Sequence, residues 1–381
     1  MIYTSIGVEC SKLMKLHADT LGKGRVMSVK PMTRLVVLDF IRIGAAIVVF
    51  MGHGAKQYSI NYHFLQPLVN LRENAMTLFF MLSGLVNFFA YHDKNMMNIE
   101  QITKFYKKRI IALIPLYLLI GTIYVISLGQ AHLLDNIKLA PVELLGIQTM
   151  FESLFAYAHN GGTWFISCLL LGYFIYPVIQ ELIKKSSKKC RVLLMIGLSL
   201  LLLYFSFVVR WFSLSSLYSN PIFRSMEFCL GVIIGGVFDA DSNRSSRKRN
   251  IQAWLSLSLT FVVCLYLLYS DVRIWGFYSY NFLRHPLLSV FMLSACMIRI
   301  KALERCKLLR YASTVTYEFF LIQLFVWKIT AFVIDILKMP NRNISRMLVS
   351  FIIAVLLSCF LHEIYQKPLA RLFTQKWKLA K

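Results

Sequence analysis

Apolar runs of roughly 16–23 residues recur along almost all of this 381-residue chain, each long enough to cross a hydrocarbon layer about 30 Å thick. A backbone inside lipid finds no water to bond. Only helices, or strands closed into a barrel, satisfy it there. Runs of this length predict helices. The composition agrees: 57% of residues are hydrophobic, 16% are charged, and the mean hydropathy is +0.60. The expected fold is all-α, a polytopic transmembrane bundle with no stretch outside the spans long enough for a separate soluble domain.

The runs place ten spans at 35–53, 75–91, 110–128, 164–183, 192–209, 222–238, 251–269, 285–300, 314–336 and 346–366. Basic residues orient them. With the N-terminus inside, the inner segments carry 30 Lys and Arg and the outer segments 10. That bias predicts that both termini are cytoplasmic. The expected division is a basic tail over 1–33, a transmembrane domain over 34–366 and a second basic tail over 367–381. The inner membrane of a cell, crossed many times, is the expected location.

A formal charge of +24 would suit nucleic acid if it formed one face. Here it is scattered over short loops, so nucleic acid is excluded and membrane lipid is the expected contact. The eight cysteines make no CxxC pair and lie mostly in or beside apolar runs, which predicts neither a disulfide framework nor a zinc site. There is no Walker, HExxH, GxSxG or GxGxxG pattern. No repeat relates the two halves, which counts against many transporter architectures. In the long loop 129–163, Val142, Leu145, Phe151 and Phe155 recur at helical spacing and suggest an interfacial or re-entrant helix. Trp164 follows, either as an interface anchor or as part of a binding surface.

Charged residues inside apolar runs are expensive, at least about 2.5–3.5 kcal/mol at the bilayer centre, and usually face a protein interior or a cavity. The first run, Leu35 to Gly54, holds three ionisable groups: Asp39, Arg42 and His53. Arg42 and His53 are eleven positions apart, roughly 16 Å along a helix and within roughly 30° of one face. Asp39 can pair with Arg42 at i, i+3. Neutral imidazole at His53 suits general-base work, and the flanking Gly52 and Gly54 permit close approach. The plainer alternative is an interfacial His bonded to a carbonyl. In the second span, Ser83 and Gly84 are small enough for tight helix packing, which is the simpler reading than Ser83 as a nucleophile. Arg109 borders the third span and could clamp phosphate. Arg224 and Glu227 open the sixth span at pairing distance, and Gly231 and Gly235 make a small-xxx-small face. Glu318 and Lys328 in the ninth span are further embedded charges.

These blocks, in this order, resemble the acyltransferase-3 family of integral membrane O-acyltransferases. The resemblance is carried by Asp39-Phe-Ile-Arg42 through His53, with its Arg, ten residues, His spacing. Leu78-Phe-Phe-Met-Leu-Ser-Gly84, Arg109 through Pro115 and Tyr117, and Thr163-Trp-Phe-Ile-Ser to Tyr173 and Pro177 follow, and then Arg224-x-x-Glu-Phe-x-x-Gly231. It runs from about Arg34 to the last span. The family's second arginine is Ala112 here, its common acidic residues after the Trp block are Cys168 and Leu169, and its common His near Ile322 is Gln323.

The resemblance implies transfer of an acyl group, most often acetyl, from cytoplasmic acyl-CoA to a sugar hydroxyl. The acceptor would be a bacterial surface polysaccharide, such as O-antigen or exopolysaccharide, or its lipid-linked precursor. His53 would be the catalytic base or a transient acyl carrier. Arg42 and Arg109 would bind the CoA. Asp39, Ser83, Trp164, Arg224 and Glu227 would support substrate or structure. Acetyl-CoA would be a donor substrate, with no metal and no permanently bound cofactor, and polysaccharide assembly machinery would be a neighbour. The competing reading is a flippase or transporter of a lipid-linked saccharide, which shares the topology but leaves the Arg42–His53 block without a task.

Overall fold

The computed structural model describes residues 35–127, 141, 164–211, 217–239, 247–275, 277–338 and 343–379. The expected N-terminal tail and the expected helix within 129–163 lie outside them. The long helices are α1 (Val36–Tyr58), α2 (Arg72–Tyr91), α3 (Ile99–Ser127), α4 (Trp164–Lys185), α5 (Lys188–Trp211), α6 (Pro221–Asp239) and α7 (Arg247–Tyr269). A two-stranded antiparallel ribbon, β1 (Arg273–Ile274) with β2 (Phe277–Tyr278), interrupts them. Then come α8 (Arg284–Met297), α9 (Lys307–Thr314), α10 (Thr316–Ile336), α11 (Asn343–Leu361) and α12 (Lys367–Leu379).

Helix occupies most of each of the ten expected spans. Among the described residues, seven are long and apolar enough to cross a membrane: those over 36–56, 72–91, 164–185, 221–239, 248–269, 316–334 and 345–373. The stretch expected at 285–300 is a helix of 14 residues, about 21 Å long and short of a bilayer crossing. The last span does not stop at residue 366. A π-turn over His362–Gln366 carries α11 into α12, so the expected C-terminal tail is largely helical.

Burial sorts the helices into inner and outer sets. Most of α6 is buried, 83% of its apolar window, whereas only 17% of α7 is. The exposed side chains of α7, including Leu255, Leu259, Val262 and Tyr266, form a lipid-facing surface. At the centre α6 crosses α2 closely enough that side chains are excluded. A Cβ on Gly84 would lie 1.9 Å from the Phe228 carbonyl oxygen, and one on Gly231 1.9 Å from that of Met81. The expected small-residue packing at Gly84 and Gly231 is therefore a backbone-to-backbone contact, and Ser83 belongs to the same helix turn.

Two devices fix helix ends. Ser59 adopts the left-handed conformation (φ 53°) and donates its N–H to the Gly54 carbonyl, which closes α1 just beyond His53. Arg191 donates to the carbonyls of Lys184, Ser186 and Gly236, covering the C-terminal ends of α4 and α6 with a positive charge.

Candidate active site

Because α1, α2 and α3 alternate in direction, the start of α1 meets the end of α2 and the start of α3. Arg42, Asn87 and Arg109 come from those three places. At this end Ser313 of α9 accepts a hydrogen bond from Arg42 Nη1 at 3.2 Å and donates one to Asp39 Oδ1 at 2.6 Å. The expected Asp39–Arg42 pair is thus joined through a third side chain from a distant helix. Arg109 is buried, and its Nη2 donates to Asn87 Oδ1. Its guanidinium carbon lies 5.5, 5.2 and 5.3 Å from the ring centres of Tyr91, Phe105 and Tyr173. Those rings favour a cation that has left water. Tyr173 feels the charge of both Arg109 and Arg42, which brings the two arginines to one neighbourhood. The Arg109 Nε is buried without a partner.

The opposite end holds His53, at the far end of the same unbroken helix as Arg42. Its neighbours come from three elements. The Arg72 stem packs on Gly52, where an added Cβ would lie 2.9 Å from Cδ. The Tyr62 hydroxyl and the Trp327 edge crowd Gly54, at 2.6 and 2.7 Å from a Cβ there. The glycines flanking His53 therefore make room for specific side chains. Gln323 of α10 approaches the imidazole, but neither its oxygen nor its nitrogen completes a hydrogen bond of ordinary geometry. His53 Nδ1 is buried and unpartnered, so the alternative of a histidine bonded to a carbonyl through this nitrogen is not what forms.

At the same end, Arg224 and Glu227 form the expected pair at 2.6 Å, fully buried. Arg224 also donates to the Tyr218 carbonyl at 2.8 Å and to Thr77 at 3.3 Å. Glu227 accepts from Thr77 at 2.8 Å and meets His285 Nε2 at 2.9 Å. Trp164 is buried against Tyr218, with ring centres 4.8 Å apart, and its ring lies 5.7 Å from the Arg224 guanidinium. Trp164 thus faces the cation and aromatic rings of the bundle interior.

A family model described as an acyltransferase domain, that of the acyltransferase-3 family, matches residues 35–363. The chain belongs to that family. It is a membrane acyltransferase. No curated protein and no solved structure matches it.

In this acyltransferase the sequence-predicted residues fall into two groups. Asp39, Arg42 and Arg109 gather at one end. His53 lies at the other, where Trp164, Arg224 and Glu227 share a single cluster. Ser83 sits between the ends, and its backbone carbonyl accepts a hydrogen bond from Asn87 at 2.8 Å. Sequence reasoning missed Asn87, Ser313, Thr77 and Trp327, whose polar atoms are common in helices of all kinds. It also passed over His285 and His362. These carried a usable signal, since each is an ionisable residue in an apolar run. His362 Nδ1 meets Glu318 at 2.7 Å, which supplies the partner that the embedded Glu318 requires.

Proposed function

We propose that this acyltransferase moves an acetyl group from cytoplasmic acetyl-CoA to a sugar hydroxyl of a surface polysaccharide or its lipid-linked precursor. The observation that carries this reading is the polarity of α1. Arg42 stands at the end of the bundle that also holds Arg109, and His53 stands at the other with an unpartnered buried nitrogen. Two guanidiniums suit the phosphates of CoA, because each presents a planar fork of donors. A pantetheine arm extended along α1 would bring its thioester toward His53, roughly 16 Å away. The positive-inside bias sets the arginine end on the cytoplasmic side, where acyl-CoA is made. Membrane lipid surrounds the bundle, and polysaccharide assembly machinery is the expected neighbour.

The reaction needs little besides positioning and a base, since a thioester is already activated. His53 takes the proton from the sugar hydroxyl as that oxygen attacks the thioester carbon, and the CoA sulfur leaves with the proton returned to it. Transport of the saccharide without chemistry is the rival outcome, and one experiment separates the two. Inverted membrane vesicles receive radiolabelled acetyl-CoA on their cytoplasmic face. The expected result is label in an alkali-labile ester of the glycan fraction. Label that stays in CoA while lipid-linked saccharide crosses the membrane would refute acyl transfer.

A further inference from the structure

Near His53, whose Nδ1 is buried and unpartnered, lie three side chains that are at least nine-tenths buried and have polar atoms with no partner: Gln323, Trp327 and Tyr62. A buried donor or acceptor left unpaired costs stability, so protein interiors rarely collect them. Here both polar atoms of the Gln323 carboxamide, the Trp327 Nε1–H and the Tyr62 hydroxyl are unpaired, together with His53 Nδ1. Their placement is tight. Gln323 approaches the imidazole. The Tyr62 hydroxyl and the Trp327 benzo edge both press on Gly54, the residue after His53. Gln323 and Trp327 are i, i+4 on α10 and so share one helix face, about one turn apart.

One member is held by packing. The Trp327 ring is stacked between Phe50, 4.8 Å away, and Tyr58, 5.5 Å away. Its face is therefore taken, and what it has left to offer is an N–H that can only donate. Gln323 brings an amide N–H₂, and Tyr62 an O–H. Three buried donors beside a base call for an acceptor that gains negative charge.

We infer that Gln323, Trp327 and Tyr62 form a donor lining that binds the carbonyl oxygen of the acyl group and stabilises it as an oxyanion. This rests on the reading of His53 as the centre of transfer. As the sugar oxygen gives its proton to His53 and bonds to the thioester carbon, the carbonyl electron pair moves onto oxygen. The lining holds that charge. The pair then returns, the carbon–sulfur bond breaks, and the CoA sulfur takes the proton from His53. Donors fixed before the reaction need no reorganisation at that moment, and losing one typically lowers kcat by about 10²–10³-fold.

The test uses full-length protein in membranes, at equal amounts, with acetyl-CoA as donor and the envelope glycan fraction as acceptor. The variants are Gln323→Met, which nearly keeps shape and removes the polar atoms, Trp327→Phe, which removes the N–H but also shrinks the ring, and Tyr62→Phe, which nearly keeps shape and removes the hydroxyl. The expected result is a fall in kcat of about 10²-fold for the first two, with KM for acetyl-CoA changed by less than about twofold. Melting temperature should hold or rise in Gln323→Met and Tyr62→Phe, because each deletes an unpaired buried group, and should fall in Trp327→Phe, which leaves a cavity. Wild-type kcat in all three variants beside an inactive His53→Ala would overturn the lining. Activity and melting temperature falling together in Gln323→Met and Tyr62→Phe would overturn it too, by assigning these residues to packing. A fully active His53→Ala would instead overturn the reading on which the lining stands.

Discussion

At the scale of the residue, this molecule is governed by what happens to charges taken out of water. Arg224 lies wholly buried, yet it reaches a carboxylate, a carbonyl and a hydroxyl, with the Trp164 and Tyr218 rings around it. Arg109 receives a different arrangement: one amide oxygen, three rings and an unpaired Nε. That leaves Arg109 with capacity for an incoming anion, whereas most of Arg224's donors are already engaged. Arg42, held through Ser313, stands within the same aromatic neighbourhood. A test of its proposed task is Arg42→Lys, which keeps the charge and loses the fork. Acetyl-CoA affinity should drop about tenfold, the equivalent of about one charge-assisted hydrogen bond. It can be measured by titrating acetyl-CoA into protein held in nanodiscs. Unchanged acetyl-CoA affinity with weakened glycan affinity would assign Arg42 to the acceptor.

At the scale of the element, what the sequence displays most clearly is position along one helix. The eleven-residue interval from Arg42 to His53 has a fixed meaning once α1 is helical, and α1 runs unbroken through both. The Arg224–Glu227 pair was legible for the same reason, being one helical turn apart. Partners from other elements were not: nothing local in the sequence brings Ser313 to Asp39, Asn87 to Arg109 or His285 to Glu227. The glycines lie between these cases. Their spacing suggested close packing, but only the α2–α6 crossing tells which are indispensable. Gly231→Leu should separate the two helices and cost several kcal/mol, above the usual about 1–3 kcal/mol of overpacking, because the obstacle is backbone. Gly197 of α5, where an added Cβ meets nothing within 4 Å, is the matched control. Gly197→Ala should be neutral or stabilising by up to about 1 kcal/mol. Thermal stability of the detergent-solubilised proteins compares the two. Equal tolerance of both changes would contradict the close crossing.

At the scale of the whole molecule, hydropathy revealed that the chain is a membrane bundle, because every crossing needs its own apolar run. It was less informative about where a run ends. The 14-residue α8 and the continuation of α11 into α12 depend on packing and on a π-turn, neither of which hydropathy registers. The basic-residue bias makes a separate prediction about orientation. Cys190, exposed at the start of α5, should react with a membrane-impermeant maleimide only from the cytoplasmic side. A cysteine placed at the exposed Asn61, between α1 and α2, should react only from the other. Labelling of both from one side would overturn the orientation, and with it the delivery of acyl-CoA to the Arg42 end.

All three scales meet at His53, which ends the helix that begins near the arginines. The decisive measurement is the NMR spectrum of surface glycan from cells making wild-type protein or His53→Gln at equal membrane levels. Glutamine has similar reach but cannot accept the proton. The account predicts O-acetyl signals with the wild type and their loss, by about 10²-fold or more, with His53→Gln. Near-normal O-acetylation by the variant would contradict it.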